Sequence, residues 1–332
     1  PMSARRQRQM CIRDSNNMLS DPLFIVGLIG LAICLYSWIK FSLSNDDIEP
    51  LVVKYISTIS FISGGSILLS IFYNSGNLDI VLLFGSVIAF VIMTLGILLK
   101  NHEIFKTARG YFIPIFTIFV IRAFLYEPYQ IPSGSMEPQL KKGDFLLVSK
   151  FAYGLKVQRI GLPKFLKKDP DYGDTVVIIP AHNPVPYIKR LIGKPGDVIR
   201  LINKQIYING MVLQRDFIES EEIMLKKRYR YSDGTIETRE TKAIGDLYSE
   251  KIGNAEYIIR NTRGQNQQYP QEWIVPEGHY FVMGDNRDNS NDSTKDVGFV
   301  PRENFFGRAD YLWMSWECWT CIPSFKKVGK IK

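Results

Sequence analysis

The chain has 332 residues, a formal net charge of +8 and 46% hydrophobic residues. Its mean hydropathy of −0.04 averages two unlike halves: residues 22–126 are mostly apolar, and residues 141–332 are mixed and rich in charge. So mild a basic excess suits a neighbour of anionic lipid and says little about nucleic acid; with no DNA- or RNA-binding motif standing out, no nucleic acid partner is expected.

The first stretch, "PMSARRQRQMCIRDSNN", is Arg-rich and lacks apolar periodicity. Residues 1–17 are therefore read as an artefact or disordered tail and kept out of the fold. Leaving out Arg5, Arg6, Arg8, Arg13 and Asp14 lowers the net charge from +8 to +5.

Residues 18–126 are expected to form a membrane domain of about four transmembrane helices. Residues 22–39, 55–78 and 80–99 are runs of 18, 24 and 20 residues without a charge. Each can cross a hydrocarbon core of roughly 30 Å at about 1.5 Å per residue. A fourth span starts at Tyr111; it contains Pro114, which membrane helices tolerate, and Arg122, placed to snorkel to the interface. Short-loop basic residues set the orientation. Lys40 and Lys54 flank one loop and Lys100, Lys106 and Arg109 another, whereas the segment before Asp21 and the loop near 74–79 have none. The two basic loops then face the cytoplasm, and residues 127–332 face outward.

That outer part reads as short strands and turns, in a mainly β class. "DFLLVSKFAYG", "GDTVVIIP", "HYFVMGD" and "GRADYLWMSW" are strand-like, and "DVIRLINKQIYINGMVL" predicts strands joined by tight turns at Asn203-Lys204 and Asn209-Gly210. Residues 211–272 are polar with weak strand signals such as "AEYIIR", and are expected to form a β-rich insertion lobe. The aromatic group Trp313, Trp316 and Trp319 suits a lipid interface, although Trp313 suits a core equally well. Of the four cysteines, Cys11 lies in the tail and Cys34 in the first span. Cys318 and Cys321 form a C-x-x-C with no second pair, which lacks the ligands for zinc; a disulfide in an oxidising compartment and two free thiols remain open.

Candidate chemistry begins where the apolar region ends, in "YEPYQIPSGSMEPQL". A serine nucleophile here needs a base. His102 lies in a cytoplasmic loop, His182 beside Asn183-Pro184 and His279 at the head of an apolar strand, and none shows a triad spacing. A lysine can substitute if burial leaves it neutral. Lys189, in "PYIKRLIGKPGD", is the lysine set in apolar sequence. Alternation puts one of Lys189 and Arg190 toward the interior; a snorkelling edge lysine is the competing reading. A third stretch, "GDNRDNSNDSTKD", reads as a loop of Asx turns able to supply a hydroxyl to orient a lysine; it lacks the spacing of a calcium loop.

Read in order, "EPYQIPSGSMEPQL", "GDTVV", "YIKRLIGKPGD", "GDNRDNSNDS", "GFVP" and "GRADYLWMSW" resemble the type I bacterial signal peptidases, Ser/Lys endopeptidases of peptidase family S26, over roughly residues 110–316. The resemblance implies a signal-peptidase-like β catalytic domain in residues 127–332, carrying the insertion lobe and preceded by about four transmembrane helices, where relatives often have one or two. It implies Ser135 as nucleophile, Lys189 as general base, and the Ser133 hydroxyl with the Ser135 N–H as oxyanion hole. Ser290 would hold the lysine, with Asp292 supporting that loop. Where the family has Ser-Arg soon after this aspartate, this chain runs Asp292-Ser293-Thr294-Lys295, and Lys295 is the available stand-in. Tyr129, Ile131, Leu140, Leu146 and Ile188 match positions lining shallow pockets for small residues at −1 and −3 of the cut. The implied partners are secretory preproteins and membrane lipid, with proximity to the secretion translocon; no cofactor and no metal are implied. Self-cleaving repressors share the dyad but not the spans. A membrane-anchored binder without activity, or a transporter with a β appendage, would need a broken dyad or polar spans respectively.

Overall fold

The apolar runs fold as helices α1 (Pro22–Ser44), α2 (Pro50–Tyr73), α3 (Leu78–Leu98) and α4 (His102–Val120), each long and apolar enough to cross a membrane. The computed structural model describes residues 21–44, 49–73, 78–154, 168–180, 185–230, 236–265, 271–318 and 320–331; His182, Trp319 and the tail 1–17 lie outside them. Contacts divide the chain into two units, residues 1–123 and 124–332, where the sequence suggested a boundary after 126. In the first unit, α1 packs on α2 and α3 on α4. Small residues allow the close approach: a Cβ on Gly27 would stand 2.8 Å from Ser63 O, and one on Gly30 would run into Ser63 Oγ.

α4 begins nine residues before the expected Tyr111. Asn101 explains the early start, because its side chain accepts the Ile104 N–H at 3.1 Å and Glu103 complements the first turn. His102, Lys106 and Arg109 thus lie on a helix rather than in a loop. Arg122, expected to snorkel, pairs with Asp79 at 3.0 Å.

The second unit contains β1 (Tyr126–Gln130), β2 (Asp144–Ser149), β3 (Thr175–Ile178), β4 (Tyr187–Gly193), β5 (Val198–Ile202), β6 (Gln205–Ile208), β7 (Met211–Val212) and β8 (Arg215–Arg230). It continues with β9 (Ile236–Ile252), β10 (Ala255–Thr262), β11 (Gln271–Ile274), β12 (His279–Met283), β13 (Val300–Pro301), β14 (Phe305–Ser315) and β15 (Gly329–Lys330). The main sheet runs β1-β2-β14-β3-β4-β12-β13, with β15 on β14. Smaller sheets run β11-β5-β6-β7 and β10-β9-β8. All the strand pairs are antiparallel, so the chain is mainly β beyond its helices, as expected.

Both tight turns form. Asn203 and Lys204 have φ of 49° and 64°, Asn209 and Gly210 of 52° and 83°, the left-handed pair that matches strand twist in two-residue hairpins. These turns fold β6 back onto β5 and β7 back onto β6. The lobe expected at 211–272 therefore shares one of its sheets with β5 and β6, which precede it.

Three apolar clusters meet at β4. Ile188 packs with Ile131, Met136, Leu140 and Leu146, Leu191 with Val176, Val282 and Phe305, and Ile192 with Ile199 and Phe281. This corrects the expectation that one of Lys189 and Arg190 would be interior: with core on both sides of the strand, they are 3% and 0% exposed. Cys318 and Cys321 form a disulfide, closing the segment in which Trp316 Nε1 donates to Cys321 O at 2.9 Å. Trp313 is 37% exposed and meets the Phe145 ring edge-on at 5.7 Å.

Candidate active site

Residues 131–143 form a loop between β1 and β2, closed at its base. Ile131 N–H donates to Asp144 O at 2.8 Å and Gly143 N–H to Ile131 O at 2.9 Å. The buried Asp144 carboxylate accepts from Lys141 N at 2.8 Å and Ser315 Oγ at 2.6 Å. Met136, 1% exposed, plugs the loop into the core beside Ile131 and Leu140. Ser135, its neighbour, is left half-buried at the surface.

From strand β4, Lys189 Nζ lies 2.9 Å from Ser135 Oγ. The sequence separates the two by 54 residues; pairing of β4 with β3 and β12 supplies the lysine. Its Nζ also donates to Ile188 O at 3.0 Å and stands 5.5 Å from the centre of the Tyr187 ring. Burial pushes its pKa down from 10.5 to about 8, against the Asp292 and Asp285 carboxylates, which pull it up. Desolvation outweighs two acidic neighbours, so near pH 8 a substantial share of the amine is free to accept a proton.

The Ser133 hydroxyl is exposed and lies 3.4 Å from Ser135 Oγ. The Ser135 N–H donates to no protein acceptor among the described residues. These are the two groups expected to receive an oxyanion, and they lie two residues apart in the same turn.

Loop 284–298 forms the other wall. Asn286 was not foreseen: its N–H donates to Ser135 O at 3.1 Å and its Nδ2 to Gly134 O at 3.0 Å, so one side chain and its backbone grip the turn. The readable signal was a Gly-Asp-Asn directly after an apolar strand. Gly284 was likewise missed. A Cβ there would run into Ser290 Oγ and stand 2.5 Å from Ser135 O. Gly284→Ala is expected to cost about 1–3 kcal/mol through overpacking, read as a lowered denaturation midpoint of the full chain; an unchanged midpoint would contradict the close approach.

Asp292, fully buried, accepts from Gly284 N at 2.9 Å and Thr294 Oγ1 at 2.7 Å, linking two ends of this loop. Two implied contacts are corrected. Ser290 is 4% exposed, but its Oγ has no hydrogen-bond partner among the described residues; Lys189 is held by Ile188 O instead. Lys295 does not replace the missing Arg as a partner of Asp292, because its ammonium donates to Ser290 O at 2.7 Å and Asp288 O at 3.4 Å.

Tyr129, Ile131, Leu140, Leu146 and Ile188 do gather in one cluster. Leu140 and Leu146 are 1% and 0% exposed, because they pack within the apolar cluster; they are the floor beneath the surface rather than its lining. His279 remains outside the site, its Nδ1 paired with Glu277 O at 3.0 Å.

A family model described as "Signal peptidase, peptidase S26" matches residues 104–316. Signal peptidase I of Pseudomonas aeruginosa is 39% identical over 246 residues, 70% of this chain and 81% of that protein. Signal peptidase I of Buchnera aphidicola subsp. Schizaphis graminum is 39% identical over 267 residues, covering 71% and 84%. Signal peptidase I of Rickettsia typhi is 38% identical over 208 residues, covering 59% and 75%.

Proposed function

Because the chain belongs to the signal peptidase family, peptidase S26, and is thereby a serine endopeptidase that removes signal peptides from preproteins, we propose that Ser135 and Lys189 carry out the cut. The observation supporting this is the 2.9 Å contact between Ser135 Oγ and Lys189 Nζ in a site dry enough to free the amine.

Neutral Lys189 uses its lone pair toward Ser135 while an N–H stays on Ile188 O. It takes the hydroxyl proton as Ser135 Oγ attacks the scissile carbonyl, and the Ser133 hydroxyl and Ser135 N–H stabilise the oxyanion. The loss of one such donor typically costs about 3–4 kcal/mol. The protonated lysine then delivers its proton to the leaving amine, giving an acyl-enzyme on Ser135. Water, deprotonated by the same lysine, releases the signal peptide. Substrate residues at −1 and −3 sit against the surface formed by Tyr129, Ile131 and Ile188. We assign small side chains such as Ala to these two positions, giving Ala-X-Ala cuts.

We further propose that the four apolar helices are a multi-pass anchor in the bacterial cytoplasmic membrane, with the β unit on the outer face. Lys40, Lys54 and Lys100, with Lys106 and Arg109 in the first turns of α4, lie at one set of helix ends, whereas residues 18–21 and 74–79 at the other ends hold no Lys or Arg; this supports the orientation, as does a disulfide between Cys318 and Cys321. Its preprotein substrates, delivered through the membrane, bring it near lipid and the secretion translocon.

The test is incubation of the full chain in detergent with an exported preprotein. Product sequencing is expected to place the cut after Ala-X-Ala, and mass spectrometry of acid-quenched enzyme to find the acyl adduct on Ser135. A cut elsewhere, or an adduct on another residue, would refute the assignment.

A further inference from the structure

Two residues beyond Ser135, Glu137 folds its carboxylate back against the turn: a Cβ built on Gly134 would stand 2.8 Å from Glu137 Oε1. Gly134 lies between the two serines that supply the oxyanion donors. The carboxylate is held by Arg260 of β10, whose Nη1 donates to Glu137 Oε2 at 2.7 Å while its Nη2 lies 2.5 Å from Glu221 Oε1 on β8. The Arg260 side chain is 8% exposed. Room for it comes from Gly245, which sits opposite Glu221 in mid-β9 and where a Cβ would press on Arg260 Cδ at 3.1 Å. The Arg260 backbone is anchored to the same region, since its N–H donates to Asp285 O at 2.9 Å, one residue before the Asn286 that grips the turn.

A carboxylate on this turn is chemically awkward. Cleavage builds negative charge at the Ser133 hydroxyl and the Ser135 N–H, and an unpaired carboxylate two residues away is a tethered acceptor that competes for those donors. Its charge also opposes the oxyanion. We propose that Arg260 is a positioning residue for the reaction: by clamping Glu137 away from the turn's donors and partly offsetting its charge, it keeps the oxyanion donors open. This rests on the assignment of Ser133 and Ser135 given above.

Steady-state cleavage of a preprotein by the full chain in detergent tests it. Arg260→Ala is expected to lower kcat ~100-fold, comparable with losing an oxyanion donor, with KM within about twofold, because ground-state binding is untouched. Adding Glu137→Ala to Arg260→Ala is expected to raise kcat at least ~10-fold over the single variant, since the competing acceptor is gone. A merely structural arginine would leave the double variant no better than the single. If Arg260→Ala does not fold, Arg260→Gln, with and without Glu137→Ala, gives the same comparison. The proposal is overturned if either arginine variant cleaves within about twofold of wild type, or if Glu137→Ala brings no recovery. Ser135→Ala, run in parallel, separates the two claims: residual cleavage there removes the nucleophile assignment, whereas its silence with failed rescue removes only the role of Arg260.

Discussion

Lys189→Met is expected to abolish cleavage while making the protein more stable at neutral pH. Without its base the serine loses at least ~10,000-fold in kcat. The stability gain follows from burial. In the unfolded chain Lys189 keeps its proton up to its ordinary 10.5; in the folded chain it releases it near 8. Below pH 8 both states are protonated, and folding carries the full cost of burying the charge. Between pH 8 and 10.5 the unfolded state binds more protons, so stability climbs with pH. The climb is on the order of 3 kcal/mol, and the methionine variant should lack it. Denaturation midpoints of the full chain in detergent at pH 7 and 10 check this. Parallel rises in both proteins, or a methionine variant less stable at pH 7, would contradict the buried, depressed lysine. In the wild type, kcat/KM should rise with pH along a limb centred near 8.

Asp285→Ala is expected to cost about 3–5 kcal/mol, the usual result of stranding a buried charge. Arg190 and Asp285 side chains are both 0% exposed, joined by Nε at 2.8 Å and Nη2 at 2.7 Å. The guanidinium also donates to Gly173 O at 2.8 Å and lies 3.8 Å from the Tyr257 ring centre. Removing the carboxylate leaves this cation in a dry core without its Asp285 counter-ion. Replacing both partners together, as Arg190→Met with Asp285→Leu, should be much less damaging, because neither charge of the pair is left without the other. Denaturation midpoints of the single and double variants decide it; equal losses would show that the pair matters only through packing. The milder Asp285→Asn should move the acid limb of kcat/KM below 8, since Asp285 raises the Lys189 pKa.

Much of the site was readable because its residues sit in dense local patterns. Pro132-Ser133-Gly134-Ser135-Met136 and Tyr187-Ile188-Lys189-Arg190 carry the resemblance, and the two contribute the atoms that meet at 2.9 Å. Reading failed where a residue acts through partners distant in the chain. Asn286 looked like one more loop asparagine, and only its approach to Gly134 and Ser135 gives it a role. Glu137 and Arg260 lie 123 positions apart, and neither is unusual in its own surroundings. Ser290 and Lys295 went the other way, since a matched motif position does not fix which acceptor a side chain finds.

Sequence alone determined the local and periodic features: four apolar runs, two turns forced to positive φ, a strand-rich second half, and a serine and a lysine in distinctive settings. Apolar length and turn chemistry act within a few residues, so they survive in a one-dimensional reading. Tertiary structure alone decided that β4 would be buried on both faces, which turned an expected choice between Lys189 and Arg190 into two buried cations. One is neutralised by Asp285, and the other has its pKa lowered by desolvation. Dehydration depends on every strand and loop packed around a site, and no short window of sequence contains that information.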